Sequence, residues 1–338
     1  MFILKLAFKN KMSEFRAMLT SFNIVGPISL AVTIPWIMFK VFSAAWLKKG
    51  YNELAGKVVV ITGASSGLGE ALAHEFYKYG AQVVLCSRRR QELERVRTDL
   101  LHSQCKDKTH APIIIPLDLA EFKDFGNHVD KILSITGKID ILINNGGRSY
   151  RGRVIDTLIE VDEKIMAVNY FGAISLTKAI LRDMLKKKQG HIVFISSVQG
   201  LVALPDRSAY SASKHALNAF SDSLRAEVAA ENIFVTVVIP GYIKTQLSKN
   251  ALTASGKTYS QMDATTESGY PPEDVAVQIV KGVVTKKKEL IISTLLPKIA
   301  IFLRRYLPFL YFLVMERRAR KSNLKDLTGN FNNVEKNK

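Results

Sequence analysis

Short, continuously apolar runs alternate with stretches of helical period from Lys57 to Ile239, and this alternation points to one kind of fold. Lys57–Thr62 (KVVVIT) is a β-branched run of strand length, and the apolar positions of Glu70–Tyr79 recur at helical spacing until Gly80. Ala81–Cys86, Ile113–Leu117, Ile139–Ile143, His191–Ile195 and Phe234–Ile239 repeat the strand pattern, with helical periods in Glu163–Leu185 and Ala209–Ala230. Strands without polar alternation are buried on both faces, which calls for helices above and below a parallel sheet. The pattern therefore predicts an α/β fold: a Rossmann-type, doubly wound parallel sheet of six or seven strands with helices on both faces. Polar residues and glycines gather at the carboxyl ends of the strands, where open α/β sheets bind ligands.

The ends of the chain depart from this pattern. Ala17–Phe39 runs for 23 residues without a formal charge. As a helix it would measure about 35 Å, enough to cross a hydrocarbon core of about 30 Å. Lys9, Lys11 and Arg16 precede it, and Trp36, Lys40, Trp46, Lys48 and Lys49 mark the other interface. We expect a single membrane-spanning anchor within residues 1–50, ahead of an interfacial helix or a cleaved signal. Lysines and arginines on both sides leave its orientation open. Leu290–Met315 is also strongly apolar, but Lys298, Arg304 and Arg305 interrupt it and Pro297 and Pro308 divide it. Short helices docked on a membrane surface are expected there, with packing on the domain or in a dimer interface as the competing reading. The expected organisation is anchor 1–50, catalytic domain 55–285, apolar and basic extension 286–322, and a polar, disordered tail 323–338.

A net charge of +18 raises the question of nucleic acid. Residues 1–56 account for +5 and residues 286–338 for +9, which leaves +4 on the whole 57–285 core. Cations concentrated beside apolar segments suit anionic lipid headgroups better than a nucleic-acid groove. Cys86 and Cys105 make no disulfide framework and have no metal-ligand spacing, so no metal is expected.

Candidate chemistry starts at Gly63-Ala64-Ser65-Ser66-Gly67-Leu68-Gly69, between the first strand and the first helix. Glycines there let backbone approach a pyrophosphate, whose charge a helix N-terminus stabilises. The second strand ends in Ser87-Arg88-Arg89-Arg90, with no acid before Glu92. A guanidinium in that place suits a ribose 2′-phosphate, as an acid suits the 2′-hydroxyl of NAD. Arg88 is the first choice and Arg89 the second, favouring NADP(H), with NAD(H) possible. Tyr210 and Lys214 lie four apart on one helix face, so a buried ammonium would sit near a phenol.

Together these segments resemble the short-chain dehydrogenase/reductase family. Thr62–Gly69 is similar to its TGxxxGxG turn, and Asn144-Asn145-Gly146-Gly147 to its NNAG motif with Gly146 in place of alanine. Tyr210-Ser211-Ala212-Ser213-Lys214 matches YxxxK, and Ser197 stands 13 residues before the tyrosine. Asn169 matches the family's helix asparagine, and Pro240-Gly241 with Thr245 its PG…T segment. The wording around SYRG, AYSASKHA and PGYIKT looks most like a membrane-bound, 7B-type branch. The resemblance implies catalysis by Tyr210, Lys214, Ser197 and Asn169, with Asn169 holding a water beside Lys214. It implies cofactor contacts from Gly63, Ser65, Ser66, Gly67, Leu68, Gly69, Arg88, Arg89, Asp118, Asn145, Tyr210, Lys214 and Thr245. The alanine-to-glycine change is expected to loosen a packing contact slightly. Substrate specificity is expected in a mobile lid over Tyr242–Tyr270, with Arg148, Arg151 and Arg153 as weaker candidates. The expected activity interconverts a ketone, lipid-like given the ends of the chain, and a secondary alcohol. The expected location is an internal membrane, endoplasmic reticulum or peroxisome, with the domain facing the cytosol. The family also suggests a homodimer or homotetramer built on the two long helices. The rival reading is a membrane scaffold or regulator that binds cofactor without turnover.

Overall fold

The computed structural model describes residues 33–103 and 110–320. The chain divides into two units, Met1–Gly50 and Tyr51–Lys338. In the first, the described residues are helical, part of a helix α1 over 33–52 that leaves Trp36, Phe39, Phe42 and Trp46 exposed. Only the last seven residues of the charge-free stretch Ala17–Phe39 fall within the described chain, so the expected span lies largely outside it, as does the tail 323–338. Among the described residues, no helix is long and apolar enough to cross a membrane.

The second unit is built on a parallel sheet. Its elements in chain order begin β1 Val58–Thr62, α2 Gly67–Lys78, β2 Gln82–Ser87, α3 Arg90–His102, β3 Ile113–Pro116, α4 Gly126–Thr136 and β4 Ile141–Asn144. They continue with β5 Tyr150–Arg151, α5 Ile159–Met166, α6 Gly172–Lys187, β6 Gly190–Ile195, α7 Ser208–Glu227, β7 Ile233–Pro240 and β8 Leu252–Thr253. The last are α8 Ala264–Glu267, α9 Pro272–Val284, β9 Glu289–Ile292, α10 Leu295–Tyr306 and α11 over 308–320. Seven strands run in the order β3-β2-β1-β4-β6-β7-β9, all parallel, so the chain reverses its winding between β1 and β4. Alternation along β1 shows why both faces need covering. Val59 and Ile61 pack with α2, α3 and α9, while Val58 and Val60 pack with α4, α6 and α7.

The structure moves three sequence boundaries. β9 belongs to the core sheet, so the domain continues to Ile292 and the extension begins later than residue 286. Pro297 lies in the first turn of α10, where a missing N–H costs nothing, and only Pro308 coincides with a helix break. The helix expected over Glu163–Leu185 is two helices joined by a π-turn, Ala167–Phe171, that carries Asn169. Nor is 242–270 featureless: β8 within it pairs with β5 in a separate two-stranded parallel sheet.

Candidate active site

The carboxyl ends of β1, β2, β4, β6 and β7 open into one cleft holding a cavity of about 400 Å³. Its upper wall is the turn between β1 and α2. Gly63 (φ 66°) and Gly67 (φ 59°) adopt left-handed backbone there, and a Cβ on Gly63 would stand 2.8 Å from Gly146 Cα. No side chain fits between this turn and the one after β4. Thr62 binds the two turns together: its Oγ1 accepts from Asn145 N at 3.0 Å and Gly146 N at 2.9 Å, and Asn145 Nδ2 donates to its carbonyl at 3.0 Å. Thr245 closes the same turn from the other side, its Cγ2 3.0 Å from where a Gly67 Cβ would point.

Of the residues expected at the site, Gly63, Ser65, Ser66, Gly67, Leu68, Arg88, Arg89, Asp118, Asn145, Ser197, Tyr210, Lys214 and Thr245 all line this cleft. Gly69 and Asn169 do not. Gly69 lies inside α2 beneath the Gly63 carbonyl, and Asn169 is buried behind Arg148. Asn169 Oδ1 accepts from Arg148 N at 2.7 Å, and its Nδ2 donates to Arg148 O and to Ser213 Oγ. Its amide donors thus fasten the post-β4 segment to α7.

The two arginines after β2 meet different neighbours. Arg89 Nη2 donates to Ser65 Oγ at 3.0 Å and Ser66 Oγ at 3.1 Å, so it covers the Gly-rich turn. Arg88 reaches Asp118 at 3.8 Å, on the neighbouring strand end. Arg148 stands close enough that its own pKa is lowered, by burial first and then by the Arg88 charge. Gly146 does not leave the looser contact expected: a Cβ there would meet Leu119 Cδ1 at 2.5 Å, so leucine already fills the space.

Elsewhere in the cleft, Tyr210 is 6% exposed and close to Ser197, whose Oγ accepts from Gln199 N at 3.1 Å. Burial raises the Tyr210 pKa, while Ser197 and the Arg151 charge pull it down. Lys214 is fully enclosed, its Nζ donating to Ile195 O at 2.9 Å and lying 5.8 Å from the Tyr210 ring centroid. Burial lowers its pKa to about 8. A lysine is thus held near its titration range beside a phenol, next to a cleft that glycines keep open for a dinucleotide. The glycine cradle, the arginines after an acid-free β2 and the buried Tyr–Lys pair all fit a nicotinamide dinucleotide.

The sequence comparisons agree with this geometry. The short chain dehydrogenase family model matches residues 57–255. A dehydrogenase/reductase SDR family protein 7-like of Anopheles gambiae is 51% identical, over 89% of this chain and 95% of its own length. The chain belongs to the short chain dehydrogenase family. As such it is an oxidoreductase by family, and it is similar to proteins named dehydrogenase/reductase SDR family member 7B. That of Mus musculus is 47% identical, over 84% of this chain and 88% of its own. Among solved structures, a metagenomic short-chain oxidoreductase in complex with NADP superposes with a TM-score of 0.58 at 26% identity, over 71% of this chain and 97% of its own. A short-chain dehydrogenase/reductase from Burkholderia phymatum in complex with NAD shares the fold, with a TM-score of 0.63 at 23% identity, over 71% of this chain and 89% of its own.

Arg151, Ser149, Gln199, Leu119 and Ser248 also line the cleft; Ser149 and Arg151 fall in SYRG and Ser248 in the segment 242–270. Gln199 and Leu119 stand outside the recognisable motifs and gain their place through tertiary packing.

Proposed function

We propose that this short-chain dehydrogenase/reductase interconverts a lipid-like ketone and a secondary alcohol with NADP(H), at a membrane surface. The observation that carries the chemistry is the meeting of Tyr210, Ser197 and Lys214 on one wall of a cleft shaped for a dinucleotide. The nicotinamide, when bound, supplies or accepts the hydride. Tyr210 gives its phenolic proton to the oxygen that becomes the alcohol, and takes it back in the reverse direction. Ser197, close to that phenol, orients the same oxygen. Lys214 stabilises negative charge on the phenol and, with a pKa near 8, sheds or regains a proton at modest cost. Asn169 holds the segment from Gly147 to Arg148 against α7, which fixes the floor on which these groups stand.

NADP(H) is preferred because β2 ends in arginines and no acid. Gly63, Ser65, Ser66, Gly67 and Leu68 would hold the pyrophosphate side, with Gly69 letting α2 lie close beneath them, Asp118 and Asn145 the nucleoside, and Thr245 with Lys214 the nicotinamide end. Arg89, over the turn serines, and Arg88, beside Asp118, would both meet a 2′-phosphate.

The membrane reading rests on α10 and α11. Leu295, Leu296, Phe302, Phe309 and Phe312 are exposed there beside Lys298, Arg304, Arg305, Arg317 and Arg318. At 12 residues α10 measures about 18 Å, too short to cross a bilayer and suited to lying along one. Ile301 packs on the cluster of Val198, Val237 and Ile239, whose Val198 follows Ser197, and Tyr311 OH donates to Ala203 O at 2.5 Å. A lipid surface held by these helices would therefore adjoin the loop that follows the catalytic serine, and would supply a lipid-like substrate. We place the domain on the cytosolic side of an internal membrane, the anchor 1–50 completing the attachment.

A comparison of wild type with Tyr210→Phe tests the chemistry. NADPH-dependent reduction of a panel of steroid, retinoid and glycerolipid ketones should fall by about 10²- to 10⁴-fold in the variant, the usual worth of a positioned proton donor. Equal turnover in both proteins removes Tyr210 from the reaction.

A further inference from the structure

The segment 242–270 is fastened to the catalytic wall at two levels. The first is backbone: Tyr150 pairs with Leu252 and Arg151 with Thr253, and Leu252 N donates to Ser149 O at 3.0 Å. Tyr150 and Leu252 share one buried apolar cluster with Tyr210 itself. The second level is ionic. Arg151 Nε and Nη2 both donate to Asp263 Oδ2, at 2.9 and 2.6 Å, and Nη2 also reaches Ser248 Oγ at 3.1 Å. Ser248 Oγ donates to the same carboxylate oxygen at 2.8 Å, and Arg207 Nη2 lies 3.5 Å from it. Asp263 precedes α8, Arg207 precedes α7 three residues before Tyr210, and Arg151 ends β5. Three separate pieces of chain therefore meet on one carboxylate. The three side chains are only 10%, 17% and 20% exposed for Arg151, Asp263 and Arg207, so solvent screens the contact weakly.

We propose that Arg151, Asp263 and Arg207 form an ionic latch between segment 242–270 and the start of the catalytic helix, and that they are positioning residues for Tyr210. The proposal rests on the reading of Tyr210 as proton donor and adds what governs that donor. Two guanidiniums on one carboxylate leave a single positive charge beside the phenol. The other groups facing the phenol are Ser197 from beyond β6 and Lys214 from α7, whose Nζ is turned to Ile195 O. Arg151 lines the cleft directly and favours the phenolate. Asp263 and Arg207 act through it. The fastening of the segment and the charge beside the phenol thus rest on the same side chains, the first on the contacts to Asp263 and the second on the balance of charge.

The charge count makes a prediction that packing alone does not. Removing the arginine should make the phenol harder to ionise, whereas neutralising Asp263 leaves two guanidiniums unopposed and should make it easier. The experiment uses full-length protein in detergent: wild type, Arg151→Gln, Asp263→Asn and Arg151→Lys, each with and without Tyr210→Phe. The ultraviolet phenolate band, taken as the difference within each pair, reports Tyr210 alone, and circular dichroism monitors the fold along the same rising limb. Tryptic cleavage at Lys244, Lys249 and Lys257 reports opening of the segment. The midpoint should move up in Arg151→Gln, down in Asp263→Asn, and stay near wild type in Arg151→Lys, which keeps the charge and loses the fork. Cleavage should quicken in all three. Shifts in the same direction for Arg151→Gln and Asp263→Asn, or unchanged cleavage, would overturn the latch. Because the titration needs no turnover, its failure is separate from any failure of Tyr210 as the acid.

Discussion

Lys214 should cost the fold stability that it returns as chemistry. Its pKa falls from 10.5 to about 8 through burial, so at neutral pH the enclosed ammonium is held against a desolvation penalty. A difference of two to three units corresponds to about 3 kcal/mol, since each unit is worth about 1.4 kcal/mol. Lys214→Met removes the charge and keeps most of the volume, but leaves Ile195 O without its donor, a loss of about 1–2 kcal/mol. The variant should therefore be more stable than wild type by about 1–2 kcal/mol at pH 7, while losing turnover. The sign with pH is fixed. Between pH 8 and 10.5 the unfolded chain binds the proton that the folded one has released, so wild type gains stability as pH rises and the difference closes. Urea unfolding of both proteins at pH 7 and near pH 10 measures this. A variant destabilised at pH 7 like an ordinary core truncation, or a gap indifferent to pH, would refute the reasoning.

Two further outcomes concern the scaffold. His191 is buried, donor or acceptor to Thr236 Oγ1 at 2.8 Å, and burial takes its pKa from 6.5 down to about 3. The unfolded chain takes a proton below pH 6.5 that the folded one refuses, so between pH 7 and 5 wild type should lose about 2 kcal/mol more than His191→Asn; equal losses in urea unfolding would contradict this. Gly63→Ala places a Cβ 2.8 Å from Gly146 Cα on left-handed backbone, and should cost about 2–5 kcal/mol in the same assay. A loss under about 0.5 kcal/mol would mean the two turns yield more easily than their packing suggests.

What the sequence discloses follows from what each residue's neighbours in the chain already say. β1, β2, β6 and β7 are buried along almost their whole length, and their unbroken apolar runs are legible for that reason. β9 is an edge strand with Glu289 exposed after three lysines, so it reads as the start of a basic extension. The continuous helical period across Ala167–Phe171 hides a π-turn, because one extra residue in a turn changes hydrogen bonding and not composition. The Tyr210–Lys214 pair is legible because its members are four apart on one helix. The Arg151–Asp263 pair is not, for its members stand 112 residues apart. Similarly, Gly146 reads as a vacancy until Leu119, brought in from beyond β3, is seen to fill it.

Nicotinamide fluorescence on the purified, detergent-solubilised chain tests the central claim most directly, with NADPH and NADH titrated separately. The cleft predicts binding of both with NADPH the tighter, and loss of that preference in Arg88→Asp and Arg89→Asp, which place an acid where the phosphate would lie. Folded wild-type protein that binds neither nucleotide would contradict the account and leave a scaffold on a short-chain dehydrogenase frame as the better description.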